Sequence, residues 1–92
     1  MSIGFSLDAR KDLERLKEFI SSKNPKAAIK IIKELIKGIN KLTQYPNMGK
    51  SVKKAPNPDA LRDIYILDYQ IRYLILSKGI FIVRIWHQKE NR

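Results

Sequence analysis

Between residues 61 and 87 the chain reads as three strand-length runs with almost nothing between them: LRDIYIL at 61–67, YQIRYLILS at 69–77 and IFIVRIWH at 80–87. All three are rich in Ile, Leu, Val and aromatic side chains, which suit a pleated and half-buried surface. Only Asp68 and the pair Lys78-Gly79 separate them. Parallel neighbours need a crossover of about a dozen residues or more, so runs joined this tightly can pair only antiparallel. The C-terminal third is therefore expected to be a three-strand antiparallel meander.

What precedes the meander has a different period. SIGF is short and apolar and stops at Ser6, a candidate N-cap, with Asp8 placed to favour the helix dipole. Ala9, Leu13, Leu16 and Ile20, with Phe19 beside them, form one apolar stripe of a helix over residues 7–21. Asn24 and Pro25 start a second helix, since proline at the first helical position gives up an N–H that has no partner there anyway. Its seam is Ala28, Ile32, Leu35, Ile39 and Leu42, widened by Ile31 and Ile36. So short a connection makes the two helices an antiparallel hairpin. Residues 46–60, PNMGKSVKKAPNPDA, carry no periodicity and are expected to be a long surface loop. The fold class is α+β: a short N-terminal strand, an antiparallel helical hairpin, then the meander. Ninety-two residues hold one domain, 1–92.

Charge narrows the partners. Nineteen Lys and Arg against nine Asp and Glu leave a formal net charge of +10, which attracts anions at long range. Nucleic acid, the ribosome or an acidic protein are the candidates, beside a merely solvated basic surface. Lys26, Lys30, Lys33, Lys37 and Lys41 repeat along the second helix away from its apolar seam, as a solvated face or a docking surface. Lys50, Lys53 and Lys54 add a basic cluster in the loop. The absence of cysteine excludes disulfides and thiolate chemistry. No apolar run approaches the roughly 20 residues of a membrane span, and the N-terminus lacks a secretory signal pattern, so a cytoplasmic protein without membrane contact is expected. There is no Gly-rich phosphate loop, no nucleophile elbow and no cluster of His and carboxylates, so neither cofactor nor metal is expected.

The polar residues of the meander are the remaining candidates. A two-residue turn at Lys78-Gly79 sets Ser77 across from Ile80. Arg72, Gln70 and His87 then share a face with Leu74, Leu76, Phe81, Val83 and Ile85. Tyr69, Ile71, Tyr73, Ile75, Ile80, Ile82, Arg84 and Trp86 lie on the other. In that register Tyr73 faces Arg84, and Arg72 is a diagonal neighbour of His87. Metal-free RNA cleavage needs a base, an acid and cations that hold the charge developing on the phosphate. A nuclease reading assigns His87 as acid or base and Arg62, Arg72 and Arg84 as the cations, with Tyr65, Tyr69 or Tyr73 stacking a base. The bland reading makes His87 a solvent-edge residue, pairs the arginines with acids such as Asp63 and Asp68, and makes Trp86 packing or interface.

The order of the elements and four strings together resemble the ParE/RelE family of bacterial toxins from type II toxin–antitoxin modules. FSLDARKDLERLKEFI is similar to the family's first strand and helix, and NPKAAIKIIKELIKGINKLTQYPNMGK to its second helix and Pro-x-x-Gly loop. LRDIYILDYQIRYLI resembles the paired strands, and IVRIWHQKENR the closing strand with its Arg-x-x-His-Gln-basic ending. The ending Arg84, His87, Gln88, Lys89 is closer to the ParE branch. That resemblance implies a protein, not an enzyme, that inhibits DNA gyrase and serves plasmid stabilisation. The RelE branch implies instead a metal-independent endoribonuclease acting on mRNA at the ribosome. Either branch implies a cognate antitoxin and contact with operator DNA only through it; a non-toxic relic that still binds antitoxin is a third expectation. The partner-binding residues expected on this basis are the eight lysines named above together with Arg84 and Trp86.

Overall fold

The computed structural model describes residues 2–57 and 59–89. Its elements are β1 (Ser2–Phe5), α1 (Leu7–Lys23), α2 (Pro25–Asn40), β2 (Lys50–Ser51), β3 (Leu61–Ile66), β4 (Tyr69–Leu76) and β5 (Gly79–His87). The strands form one five-stranded sheet in the order β1-β5-β4-β3-β2. The expected meander is its centre, with β3, β4 and β5 paired antiparallel. β1 joins beside β5 in parallel, so the sheet is mixed and not purely antiparallel.

The helices start where the capping chemistry places them. The Ser6 side chain accepts the Ala9 N–H at 2.9 Å, and the Asn24 side chain accepts that of Ala27 at 3.2 Å. Ala9 and Leu16 of α1, Leu35 and Ile39 of α2, and Leu42 just beyond it bury against Ile64, Tyr69, Ile71, Tyr73, Ile80, Ile82 and Ile85 of the sheet. Leu13, Ile20, Ile31 and Ile32 flank this core, half-buried. Phe19 departs from the stripe expected for it and stands 59% exposed. The helices cover one face of the sheet, and among the described residues no element packs over the other.

Two turns differ from expectation. The β4–β5 connection is Ser77-Lys78, because Leu76 pairs with Gly79. Gly79 is thus the first residue of β5, where a Cβ would run into the Ser2 carbonyl of β1. Glycine is needed there both for β1 to approach and for the backbone itself, whose φ of 154° disfavours any L side chain. Residues 46–60 are also more ordered than a plain loop. A single helical turn at Pro46–Met48 leads into β2, which pairs Lys50 with Asp63 and Ser51 with Arg62. Pro58 and the last three residues of the closing string, Glu90, Asn91 and Arg92, lie outside the described residues.

The Tyr73 hydroxyl fixes this segment from below. It donates to the Pro46 carbonyl at 2.6 Å and accepts the Gly49 N–H at 2.9 Å. Burial pushes the phenol upward in pKa, so it remains a donor at any physiological pH. A Cβ on Gly49 would lie 2.7 Å from both the Tyr73 hydroxyl and the Asp63 carbonyl. Tyr73→Phe strands two backbone groups and is expected to cost about 1–3 kcal/mol. Gly49→Ala is expected to cost a similar amount, about 1–3 kcal/mol, by overpacking. Each should lower the urea midpoint with an unchanged m-value, and a midpoint equal to that of the parent would refute the latch.

Candidate functional site

A β-bulge decides where the candidate side chains point. Up to Ile82 the β4–β5 pairs are Ile75 with Ile80, Leu74 with Phe81 and Tyr73 with Ile82. Beyond it Arg72 pairs with Arg84, Ile71 with Ile85, Gln70 with Trp86 and Tyr69 with His87. Val83 is the extra residue. One inserted residue moves everything after it to the other face of the sheet. The expected register is corrected on both counts: the Ser77-Lys78 turn sets Tyr73 across from Ile82, and the bulge places Arg72 beside Arg84 and Trp86 in place of His87. Ile85 and His87 move to the helix-covered side.

Helix α1 satisfies the backbone that the bulge disturbs. Ser6, while capping the helix, donates its hydroxyl to the Val83 carbonyl at 2.7 Å, and its N–H bonds Ile82 at 2.9 Å. One and a half turns on, Asp12 is 5% exposed. Its Oδ2 accepts the Ile85 N–H at 2.9 Å and the Arg84 Nε at 2.8 Å, and its Oδ1 accepts Arg84 Nη2 at 3.1 Å. Arg15 adds a looser contact at 3.6 Å. Burial alone would raise the Asp12 pKa. The Arg84 and Ile85 hydrogen bonds, with the charges of Arg84 and Arg15, outweigh it and hold the carboxyl below its ordinary value.

A matching arrangement lies on β3 and β4. Asp63 accepts Arg72 Nε at 2.9 Å and Arg72 Nη2 at 3.0 Å, and Gln70 donates to it at 3.0 Å. The hydrogen bond to Asp63 raises the Arg72 pKa further, so its charge is permanent. Trp86 sits between the two arginines, with guanidinium carbons 5.2 Å (Arg72) and 5.4 Å (Arg84) from its ring. The resulting row, Asp63, Arg72, Trp86, Arg84 and Asp12, runs across the uncovered side of three strands to the first helix. Arg72 and Arg84 are direct cross-strand partners, and like charges so placed repel. A dedicated carboxylate on each and the shared indole face offset that repulsion. The row presents two guanidinium groups held in fixed geometry, each neutralised by its own carboxylate, around an aromatic surface.

The other candidates lie elsewhere. Arg62 is on the helix-covered side, with Nε on the Asp59 carbonyl at 2.9 Å and Nη1 on those of Gly49 and Asn47 at 2.8 and 3.4 Å. It ties loop to strand. His87 meets Tyr69 edge-on at 5.2 Å and accepts the Lys89 N–H at Nδ1, 3.1 Å away. Of the proposed nuclease set, the fold brings Arg72 and Arg84 together and separates Arg62 and His87 from them. Lys26, Lys30, Lys33 and Lys37 are exposed along α2 and Lys41 just beyond it; Lys50 is exposed on β2, and Lys53 and Lys54 in the turn after it. Among the described residues no group of three or more His, Cys, Asp or Glu could hold a metal, and no helix is long and apolar enough to cross a membrane.

Asp12 was not a sequence candidate, although one signal was available: it occupies an apolar-stripe position, four residues before Leu16. Asp63 was foreseen only as a local ion-pair partner, and the latch role of Tyr73 had no local signal at all.

Comparison with known proteins accounts for nearly the whole chain. The family described as ParE toxin of type II toxin-antitoxin system, parDE, matches residues 3–92. The protein named Toxin RelE1 of Caulobacter vibrioides is 32% identical over 91 residues, covering 95% of this chain and 92% of that one. Toxin RelE3 of the same organism is 27% identical over 88 residues, covering 91% and 90%. Among solved structures, the chromosomal ParDE TA system from P. aeruginosa superposes with a TM-score of 0.78 over 95% of both chains at 21% identity, which establishes a shared fold.

The Asp12 clamp has a pH signature. Its folded pKa lies below the unfolded value of about 3.9, so the unfolded chain takes up the proton first. The stabilisation is complete above that value and is lost as pH falls through the lower folded one. Asp12→Asn is expected to cost about 1–3 kcal/mol at pH 7, with the gap to the parent closing below about pH 4. Urea titrations of both proteins across this range check it; a gap independent of pH would count against the clamp.

Proposed function

The chain belongs to the ParE toxin family of type II toxin–antitoxin systems, and from that premise we propose that it arrests growth by inhibiting DNA gyrase and is neutralised by a cognate antitoxin. The observation that carries the gyrase reading is the dispersal of the nuclease set. RNA cleavage without a metal needs acid, base and phosphate-holding cations around one phosphate. Here His87 and Arg62 lie on the opposite side of the sheet from Arg72 and Arg84. Each of the latter two already holds a carboxylate in a two-point contact. A surface so neutralised is better suited to gripping a protein than to chemistry. The Arg72–Trp86–Arg84 row is the surface we assign to the target, since aromatic and arginine side chains dominate the energetics of protein interfaces.

A second reading is ribosome-dependent mRNA cleavage. Two relatives carry the RelE name, and an indole between two guanidinium groups also suits a base flanked by phosphates. It assigns charge stabilisation to Arg72 and Arg84 and acid or base work to His87.

Purified protein is expected to block gyrase supercoiling and to accumulate cleaved DNA complexes. Trp86→Ala should raise the concentration needed about tenfold, as for loss of an interfacial aromatic. Supercoiling that proceeds at excess protein, with mRNA cut on ribosomes and the cutting abolished by His87→Gln, would replace gyrase by the ribosome. Normal growth on induction without antitoxin would leave only an antitoxin-binding relic.

A further inference from the structure

On the helix-covered side, where α1 passes the end of β5, a groove of about 520 Å³ is lined by Arg15, Leu16, Phe19, Tyr69, His87 and Lys89. Its floor is apolar and already ordered: Leu16 is 3% and Tyr69 7% exposed. Its wall is Phe19, an aromatic side chain left 59% exposed beside the buried stripe of α1. Large apolar side chains left exposed around a concave surface mark a place where a partner completes the packing. The rim is basic, with Arg15 and Lys89 lining the groove and Lys23 Nζ lying 4.6 Å from the centre of the Phe19 ring. No carboxylate is found among the described lining residues.

We infer that this groove is the anchor site for the antitoxin, receiving a segment that carries a large apolar side chain flanked by carboxylates. The apolar knob fills the space between Phe19, Leu16 and Tyr69, while the acids face Arg15 and Lys89. Charge decides against a second copy of this chain as occupant, since each copy carries +10 and would bring its own excess of cations to a cationic rim. The groove lies on the opposite side of the sheet from the Arg72–Trp86–Arg84 row, so antitoxin is held at a place separate from the surface assigned to the target. The inference rests on the toxin–antitoxin reading and goes beyond it by naming the site and the chemistry of what fills it.

Two positions make a matched test. Phe19 and Ile29 are equally exposed, 59% and 60%, but Ile29 lies on α2 in a different groove, with Lys17, Ser21, Ala28, Ile32 and Lys33. Phe19→Glu and Ile29→Glu each place the same charge on an exposed helix position. Binding of the antitoxin encoded beside this gene is measured by calorimetry, with circular dichroism checking the fold of each variant. Phe19→Glu is expected to weaken binding tenfold or more and Ile29→Glu less than about threefold. A photoreactive phenylalanine analogue at position 19, but not at position 29, is expected to crosslink to antitoxin, a readout that does not depend on the charge variants folding. Equal weakening by both variants, or a larger effect at Ile29, overturns the groove while leaving the antitoxin reading intact. A parent chain that binds no antitoxin overturns both. A parent dimer that Phe19→Glu renders monomeric reassigns the groove to a second copy.

Discussion

Past Phe5 the closing strand has no parallel neighbour, and the Ile85 N–H at its outer edge would face the first helix without a backbone acceptor. The Asp12 carboxylate supplies one, and with the same group it holds the Arg84 guanidinium. An unmet N–H there would carry the penalty of any buried unpaired donor, and an unpaired Asp12 carboxylate would carry a larger one. The two needs meet each other. Because Ser6 captures the bulge carbonyl at Val83 while capping the same helix, α1 is aligned on β5 at two points. The burial of Ala9 and Leu16 follows from that alignment.

The bulge and the clamp are parts of one device. Without the extra residue at Val83, Arg84 and Trp86 would pair with Ile71 and Tyr69 and point into the core that Ile85 and His87 now border, and Arg72 would face Val83. With it, two arginines and a tryptophan gather on the uncovered side, each guanidinium balanced by its own acid. Holding both charges in fixed geometry removes much of the side-chain entropy a partner would otherwise have to freeze, which favours recognition. Across the sheet, the histidine and Tyr69 instead shape an apolar groove beneath Phe19. The relatives carry both ParE and RelE names, and the separation of these two surfaces is the physical ground on which the present reading rests.

Most of the architecture was legible because it depends on local rules. Helix period, Ser6 and Asn24 as caps, Pro25 at a first helical position, and strand runs too closely joined to be parallel all act over a few residues. Misreadings arose where a distant segment set the geometry. Gly79 looked like a turn residue, but it opens β5, where its positive φ and the approach of β1 from the far end of the chain both require it. Residues 46–60 looked unstructured, yet Tyr73, 27 residues beyond Pro46, holds their first turn in place. Phe19 followed the helical stripe closely enough to be read with it, but it stands exposed as the wall of a groove shared with Tyr69 and His87 of the sheet.

By itself, then, the amino-acid sequence determined both helices, the strands other than β2, their order and the antiparallel pairing of the last three, since each follows from periodicity, capping and chain length over short spans; the family was marked instead by the resemblance of four strings taken in order. Only the tertiary structure decided which side of the sheet each functional side chain occupies. A strand alternates faces residue by residue, so a single bulge reverses every later position. Whether a bulge forms at Val83 depends on acceptors and donors that Ser6 and Asp12 bring from the other end of the chain.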